Sequence, residues 1–252
     1  MPRITMIAVC FIVGVVNPCL AASKTVTLRW HGQSFFEIET SRGTRIVLDP
    51  HAIDAYGRIT VRGDLVLISH YHNDHTQVEV VEDRAKAKII VGLRGSGKKI
   101  DWNLVDETIR DVHVRTVGVY HDGAEGMERG KNAVFIIEVD GLRIVHLGDL
   151  GHLLTEGQIK QIGPVDVLLI PVGGVYTING AEAKKVVEQL KPTQYVVPMH
   201  YGTEVFDEML PVDEFLEDQN PAAVKRFKNT NKLVIESGVK HDSPIIVVLN
   251  WK

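Results

Sequence analysis

Cysteine is nearly absent from this sequence. Of 252 residues, only Cys10 and Cys19 carry a thiol, and both lie in the first 22 positions. If that segment is removed on export, the mature chain can form no disulfide and offers no cysteine to a metal. A membrane-length apolar run is missing too. The longest stretch, Ile4 to Val16, falls short of the roughly 20 residues that a permanent span needs, so stable membrane insertion is not expected. Nor is there an excess of positive charge. The formal net charge is −4, and proteins that hold nucleic acid by charge cluster Lys and Arg against several phosphates. The "KNTNK" near residue 230 reads as a solvated loop, and no nucleic-acid partner is expected.

The opening "MPRITMIAVCFIVGVVNPCLAAS" places Arg3 before the apolar run, a breaker at Asn17-Pro18, and small residues at Ala21 and Ala22. That order is expected of a secretory signal peptide over residues 1–22, which makes the protein exported, periplasmic or secreted. Residues 23–252 are then long enough, and with 44% hydrophobic residues over the whole chain apolar enough, for one well-filled domain.

From Lys24 the pattern alternates, predicting strands near 25–30, 34–39 and 44–48, with "SRG" turning a hairpin. "DLVLISH" reads as a further strand, buried on both faces. The second half begins again in the same way. "FIIEVDGLRIVHLGD" (135–149) sits over "FEIETSRGTRIVLDP" (36–50), with Phe135 on Phe36, Glu138 on Glu39 and Arg143 on Arg45; "DVLLI" (166–170) answers "DLVLI" (64–68). Helices are expected near 76–84, 155–162 and 180–190. Two hairpin-led mixed sheets packed face to face with helices outside give an α/β fold, a four-layer α/β/β/α sandwich.

At the end of the strand in "LVLISHYHNDHTQ" stand His70, His72, Asp74 and His75, the last two leading into an expected helix. Imidazole and carboxylate are the donors that zinc and related divalent ions take. His-x-His can bring two nitrogens to one ion, and Asp-His, two residues on, can serve a second. Further candidates end other apolar runs: His121 in "VGVYHDG", Asp149 in "IVHLGDLGH" and His200 in "YVVPMHYGT". His51, His113 and His241 are expected in loops or at the surface, and His146 within the sheet. His152 could support the site, donate a proton or cap the next helix.

The motifs resemble, in order and over the whole mature chain, those of the metallo-β-lactamase fold superfamily, with Asp49 in "IVLDP" at its first motif. The segments "GDLGH", "LLIPVGG" and "PMHYGT" resemble those of metal-dependent hydrolases related to the N-acyl-phosphatidylethanolamine-hydrolysing phospholipase D and the ascorbate-6-phosphate lactonase. The resemblance implies that one ion takes His70, His72 and His121, that a second takes Asp74, His75 and His200, and that Asp149 bridges them. It implies two divalent ions, zinc or alternatively manganese, and a metal-bridging hydroxide acting on a small-molecule ester, lactone or phosphodiester. Asp74 and Asp149 are then the catalytic carboxylates, with Tyr176, Tyr201 or His152 supplying the leaving group's proton. Asp149 stands where well-known β-lactamases use cysteine, which speaks against penicillin-type substrates. His72 stands where oxygen-reducing di-iron relatives carry Glu, and Gln33 where relatives often carry histidine. Loops 51–63 and 122–131 are expected to shape the pocket, and "PVGG" (171–174) either lines it or only turns the chain. The rival expectation is a protein that holds metal or ligand on this fold without turnover.

Overall fold

The computed structural model describes residues 24–252. The expected leader, with Cys10 and Cys19, lies outside the described residues. Two mixed sheets stand face to face. The six-stranded sheet runs in the order Lys232–Glu236, Thr25–Trp30, Phe36–Glu39, Arg45–Leu48, Leu65–Ile68, Lys88–Val91. The eight-stranded sheet runs Asp106–Ile109, Val112–Tyr120, Lys131–Val139, Leu142–His146, Val167–Pro171, Tyr195–Met199, Ile245–Val248, Val224–Arg226.

The sequence repeat is a repeat of topology. From Thr25–Trp30 and from Val112–Tyr120, each sheet makes two antiparallel steps and then two parallel ones. The matched side chains keep matched tasks. Glu39 pairs across its hairpin with Arg45, and Glu138 with Arg143. Asp64 and Asp166 each accept the backbone N–H of the corresponding arginine at 2.9 Å. Because the directions agree, Trp30, Leu48, Ile68, Tyr120, His146 and Met199 end their strands at one edge of the sandwich. The loops there carry the candidate residues.

Alternation along the strands divides the apolar side chains between two cores. Val26, Leu28, Ile46, Leu48, Leu65 and Leu67 face the second sheet and join one continuous core with Val134, Ile136, Val145 and Leu169. The intervening Val47, Val66 and Ile68 turn outward and pack with Phe35, Val61 and Val81.

Helix α1 (Glu156–Ile162) and helix α2 (Gly180–Leu190) occur where expected, each opened by a capping box, Thr155 with Gln158 and Asn179 with Glu182. Ile162, Ala183, Val186 and Leu190 turn into the main core. No α-helix forms near 76–84. Two 3-10 turns, Val78–Val80 and Arg84–Lys86, flank a short strand at Val81–Glu82. Three valines in four positions disfavour helix, and they are used to cover the outer face of the six-stranded sheet. The layer outside that sheet is therefore built of turns and a short two-stranded ladder. The expected strand 34–39 shortens to Phe36–Glu39, since His31–Ser34 form a turn closed by His31 N–H to Phe35 O and Phe35 N–H to Gly32 O.

Candidate metal centre

Leu65–Ile68 is buried on both faces, so the residues after it leave a rigid base. Ser69 and His70 are buried, His72 is exposed, and Asn73–His75 form a 3-10 turn rather than the start of a helix. That turn brings His75 back under the strand, fully buried. His121 follows Tyr120, Asp149 lies three residues beyond His146, and His200 follows Met199 with φ +49°.

All of these meet around Asp149. Its Oδ2 lies 3.2 Å from His75 Nε2, 3.2 Å from His121 Nε2, 3.1 Å from His200 Nε2 and 3.8 Å from His70 Nε2. The donor atoms fall into overlapping triads within 4.8 Å: His70, His72 and His121; Asp74, His75 and His200; and His70, His75 and Asp149. The structure brings together the residues that the resemblance assigns to each ion, and it sets Asp149 with His70 and His75 in the third group. The Nε2 atoms of His70 and His75 are buried without a hydrogen-bond partner, although burying polar atoms unpaired is costly. Imidazole and carboxylate are donors that divalent metals take, and the chemistry of these residues fits metal binding.

Supporting contacts aim the donors. Asp49 accepts the Ser69 N–H and the Ser69 hydroxyl, both at 2.7 Å. With its one proton given to Asp49, the Ser69 hydroxyl accepts from His70 Nδ1 at 2.9 Å. His70 is then the Nδ1–H tautomer, and its Nε2 lone pair points into the centre. Asp49 Oδ2 also stands 3.1 Å from His75 Nδ1, an ion-pair approach outside hydrogen-bond alignment. Ser34 donates to Asp149 Oδ1 at 3.2 Å, leaving Oδ2 to the imidazoles. The Gln33 backbone carbonyl accepts the His200 N–H at 3.2 Å and the Trp30 indole N–H at 2.8 Å. Gln33 thus braces a donor through its main chain.

Burial sets His70 well below the ordinary imidazole range, reinforced by His75. Burial acts the same way on His75, but Asp149 and Asp49 outweigh it and raise that group well above its usual value. Burial pushes Asp149 up, yet His200 and His75 hold it well below the carboxylate range. Asp74, likewise pushed up by burial, falls to about 2 through its contact with His75. The carboxylates stay ionised at neutral pH.

The other histidines divide. His146 is buried within the sheet as expected, accepting from Gly148 N–H at 3.0 Å and donating to Ser34 O at 3.0 Å. His113 is half-buried between Glu138 and Asp106. His51, expected in a loop or at the surface, is in a loop but buried, with Nε2 on His31 O at 3.1 Å and Nδ1 accepting from Ile53 N–H at 3.2 Å. His152 accepts from Tyr120 N–H at 3.1 Å and gives its Nδ1 proton to Leu153 O at 2.7 Å. Both of its nitrogens serve the backbone, so it has no free proton for a leaving group.

A cleft of about 420 Å³ opens on the centre, lined by His72, Asp74, His121, Asp149 and His200 together with Ile53, Arg129, Tyr176, Phe206 and Glu208. Ile53 and Arg129 come from the two loops expected to shape it. Tyr176 lines it, whereas Tyr201 stacks on Trp30 in a separate cavity of about 630 Å³. Gly173 does more than turn the chain: a Cβ there would lie 2.3 Å from His200 O. Ser34, Ser69, Arg129, Phe206 and Glu208 went unnoticed in the sequence. Only Ser69, adjacent to His70, carried a local signal.

Residues 27–200 match a protein family described as the beta-lactamase superfamily domain. The chain is 33% identical over 197 residues to a protein of Thermococcus kodakarensis named as a metal-dependent hydrolase, covering 71% of this chain and 85% of that one. A solved structure from Thermotoga maritima, described as belonging to the metallo-beta-lactamase superfamily, is 34% identical. It has a TM-score of 0.66 and covers 88% of this chain and 97% of its own. Igni18, a metallo hydrolase of Ignicoccus hospitalis, shares the fold at 22% identity and a TM-score of 0.58, with 84% and 98% covered.

Proposed function

The chain belongs to the metallo-β-lactamase superfamily as a metal-dependent hydrolase, and from that premise we propose a binuclear enzyme that cleaves a small ester, lactone or phosphodiester. The observation that carries this reading is the single carboxylate oxygen of Asp149, shared among imidazoles of two donor triads. His70, His72 and His121 would hold one divalent ion and Asp74, His75 and His200 the other, zinc in first place and manganese in second. Such ions would supply Lewis-acid chemistry, acidifying water and polarising a substrate oxygen.

The chain's own residues do the rest. Asp74 lines the cleft with a side chain 40% exposed; held ionised, it accepts a hydrogen bond from the attacking water and fixes its direction. Asp149, turned by Ser34, keeps the triads together. Ser69 and Asp49 hold the rings of His70 and His75 against rotation, so little reorganisation is left for the reaction itself. Of the side chains weighed as proton donors, Tyr176 is the one in the cleft, and its phenol serves the leaving group.

The test begins with the metal content of the purified protein, expected at about two divalent ions per chain. Turnover of a chromogenic lactone, a carboxyl ester and a phosphodiester follows. Asp149→Asn should lower the metal content and cut the rate on whichever substrate is cleaved by on the order of a hundredfold or more. Unchanged turnover in the variant would sink the two-metal reading. A fully metallated parent that cleaves none of the panel would favour a binding role.

A further inference from the structure

Among the described residues lining the 420 Å³ cleft, Arg129 is the only lysine or arginine. It also lines an adjoining cavity of about 280 Å³, where it and His72 form the shared wall. The loop that carries it is tied together by one carboxylate. Asp122, buried and next in sequence to His121, accepts the N–H groups of Ala124, Gly126, Glu128 and Arg129 at 2.7–3.1 Å. The guanidinium is held as well, donating to Val175 O at 3.1 Å with its carbon 5.5 Å from the centre of the Tyr176 ring. Its ordering cost is therefore met before any ligand arrives.

Among the described residues, no buried acidic side chain forms an ion pair with this arginine. Its ion pair, Glu128 at 3.6 Å, has a side chain 66% exposed, and such surface pairs contribute little. Val175 takes one of the five N–H donors that a guanidinium presents. Lys131, the other cation of the smaller cavity, contrasts with it, because Asp101 at 2.7 Å and the Trp102 ring at 4.2 Å occupy its ammonium. The acidic groups in the larger cleft are Asp74 and Asp149, committed to the metal centre, and Glu208.

Resting on the hydrolase reading for the existence of a substrate, we propose that Arg129 recognises an anionic oxygen group, a carboxylate or phosphate, carried beside the bond that is cleaved. The natural substrate is then an anion rather than a neutral ester. The planar fork of Arg suits two-oxygen contact with either group.

The test uses zinc-loaded parent, Arg129→Gln and Arg129→Lys, with zinc content measured for each. Calorimetric titration with glutarate, inorganic phosphate and neutral glutaramide gives affinity without turnover. Hydrolysis of mono-4-nitrophenyl glutarate and of 4-nitrophenyl acetate gives the kinetic comparison with one leaving group. Arg129→Gln should lose about tenfold or more in affinity for an anion and in kcat/KM for the glutarate ester, with the acetate ester changed less than about twofold. Arg129→Lys should fall between. A loss confined to phosphate or to glutarate identifies the group recognised. Equal losses on both esters, or unaltered anion affinity in Arg129→Gln at unaltered zinc content, would overturn the proposal. If the parent cleaves neither ester, the titrations still decide on Arg129. A parent that takes up no zinc instead counts against the metal assignment.

Discussion

His75 and His51 are both buried imidazoles, and their surroundings drive them in opposite directions. Asp149 and Asp49 raise His75 against the pull of burial. For His51, desolvation wins and brings the pKa from 6.5 to about 4, as it does for His31. The folded state holds both of the latter neutral, while the unfolded chain binds protons below about 6.5, so unfolding takes up protons between pH 6.5 and 4 and stability is lost as pH falls through that window. At 1.36 kcal/mol per unit, each contributes about 3 kcal/mol. Melting temperatures from pH 7.5 to 4.5 should fall for the parent and fall less for His51→Gln, whose amide does not titrate. Parallel curves for the two proteins would show that His51 is not responsible. The neutrality of His51 was illegible in the sequence, because it arises from Phe35 and Tyr56 packing beside it. His-x-His-x-Asp-His was legible because its donors are chain neighbours.

At the scale of elements, the strand ends make the site, and glycine decides how closely they approach. Gly173 donates to His200 O at 3.0 Å, and the backbone atoms a Cβ would meet there have nowhere to yield. Gly173→Ala should cost about 1–3 kcal/mol by overpacking and, by displacing His200, weaken the ion held with Asp74 and His75. Gly157→Ala is the control. Within α1 a Cβ at 157 meets nothing closer than 3.9 Å, so it should stabilise by up to about 1 kcal/mol with metal content unchanged. Thermal melts and metal analysis of both variants read the difference; equal behaviour would show that the close approach is unimportant. The segment 76–84 shows the limit of local pattern. The helix expected there does not form, because the six-stranded sheet offers its valines an apolar surface that extended chain and short turns cover.

For the molecule as a whole, the repeated halves put two sets of strand ends at one edge while the core lies between the sheets. We propose that the chain works outside the cytoplasm, supported by the leader-like residues 1–22. Lys24, which exchanges hydrogen bonds with Ser237 at 2.9 and 3.1 Å, and the strand Thr25–Trp30 both lie beyond the proposed cleavage after Ala22. Mass spectrometry of protein recovered from its native source should find the N-terminus at or near Ser23, and an intact chain in the cytoplasm would refute export.

What the sequence determined by itself is whatever depends on neighbours along the chain: period-two strands, the capping boxes of α1 and α2, the hairpin repeat down to its Glu and Arg partners, and a cluster of metal donors after a buried strand. Apolar runs ending at His121, Asp149 and His200 extended this to three more candidates, and the resemblance of the motifs supplied their expected roles. Only the tertiary structure decided that Ser34, more than a hundred residues from Asp149, turns that carboxylate, that Gln33 braces His200, and that Arg129 faces the cleft. Those relations depend on how two sheets pack, and packing is set by the summed fit of side chains from distant segments rather than by any short stretch of sequence.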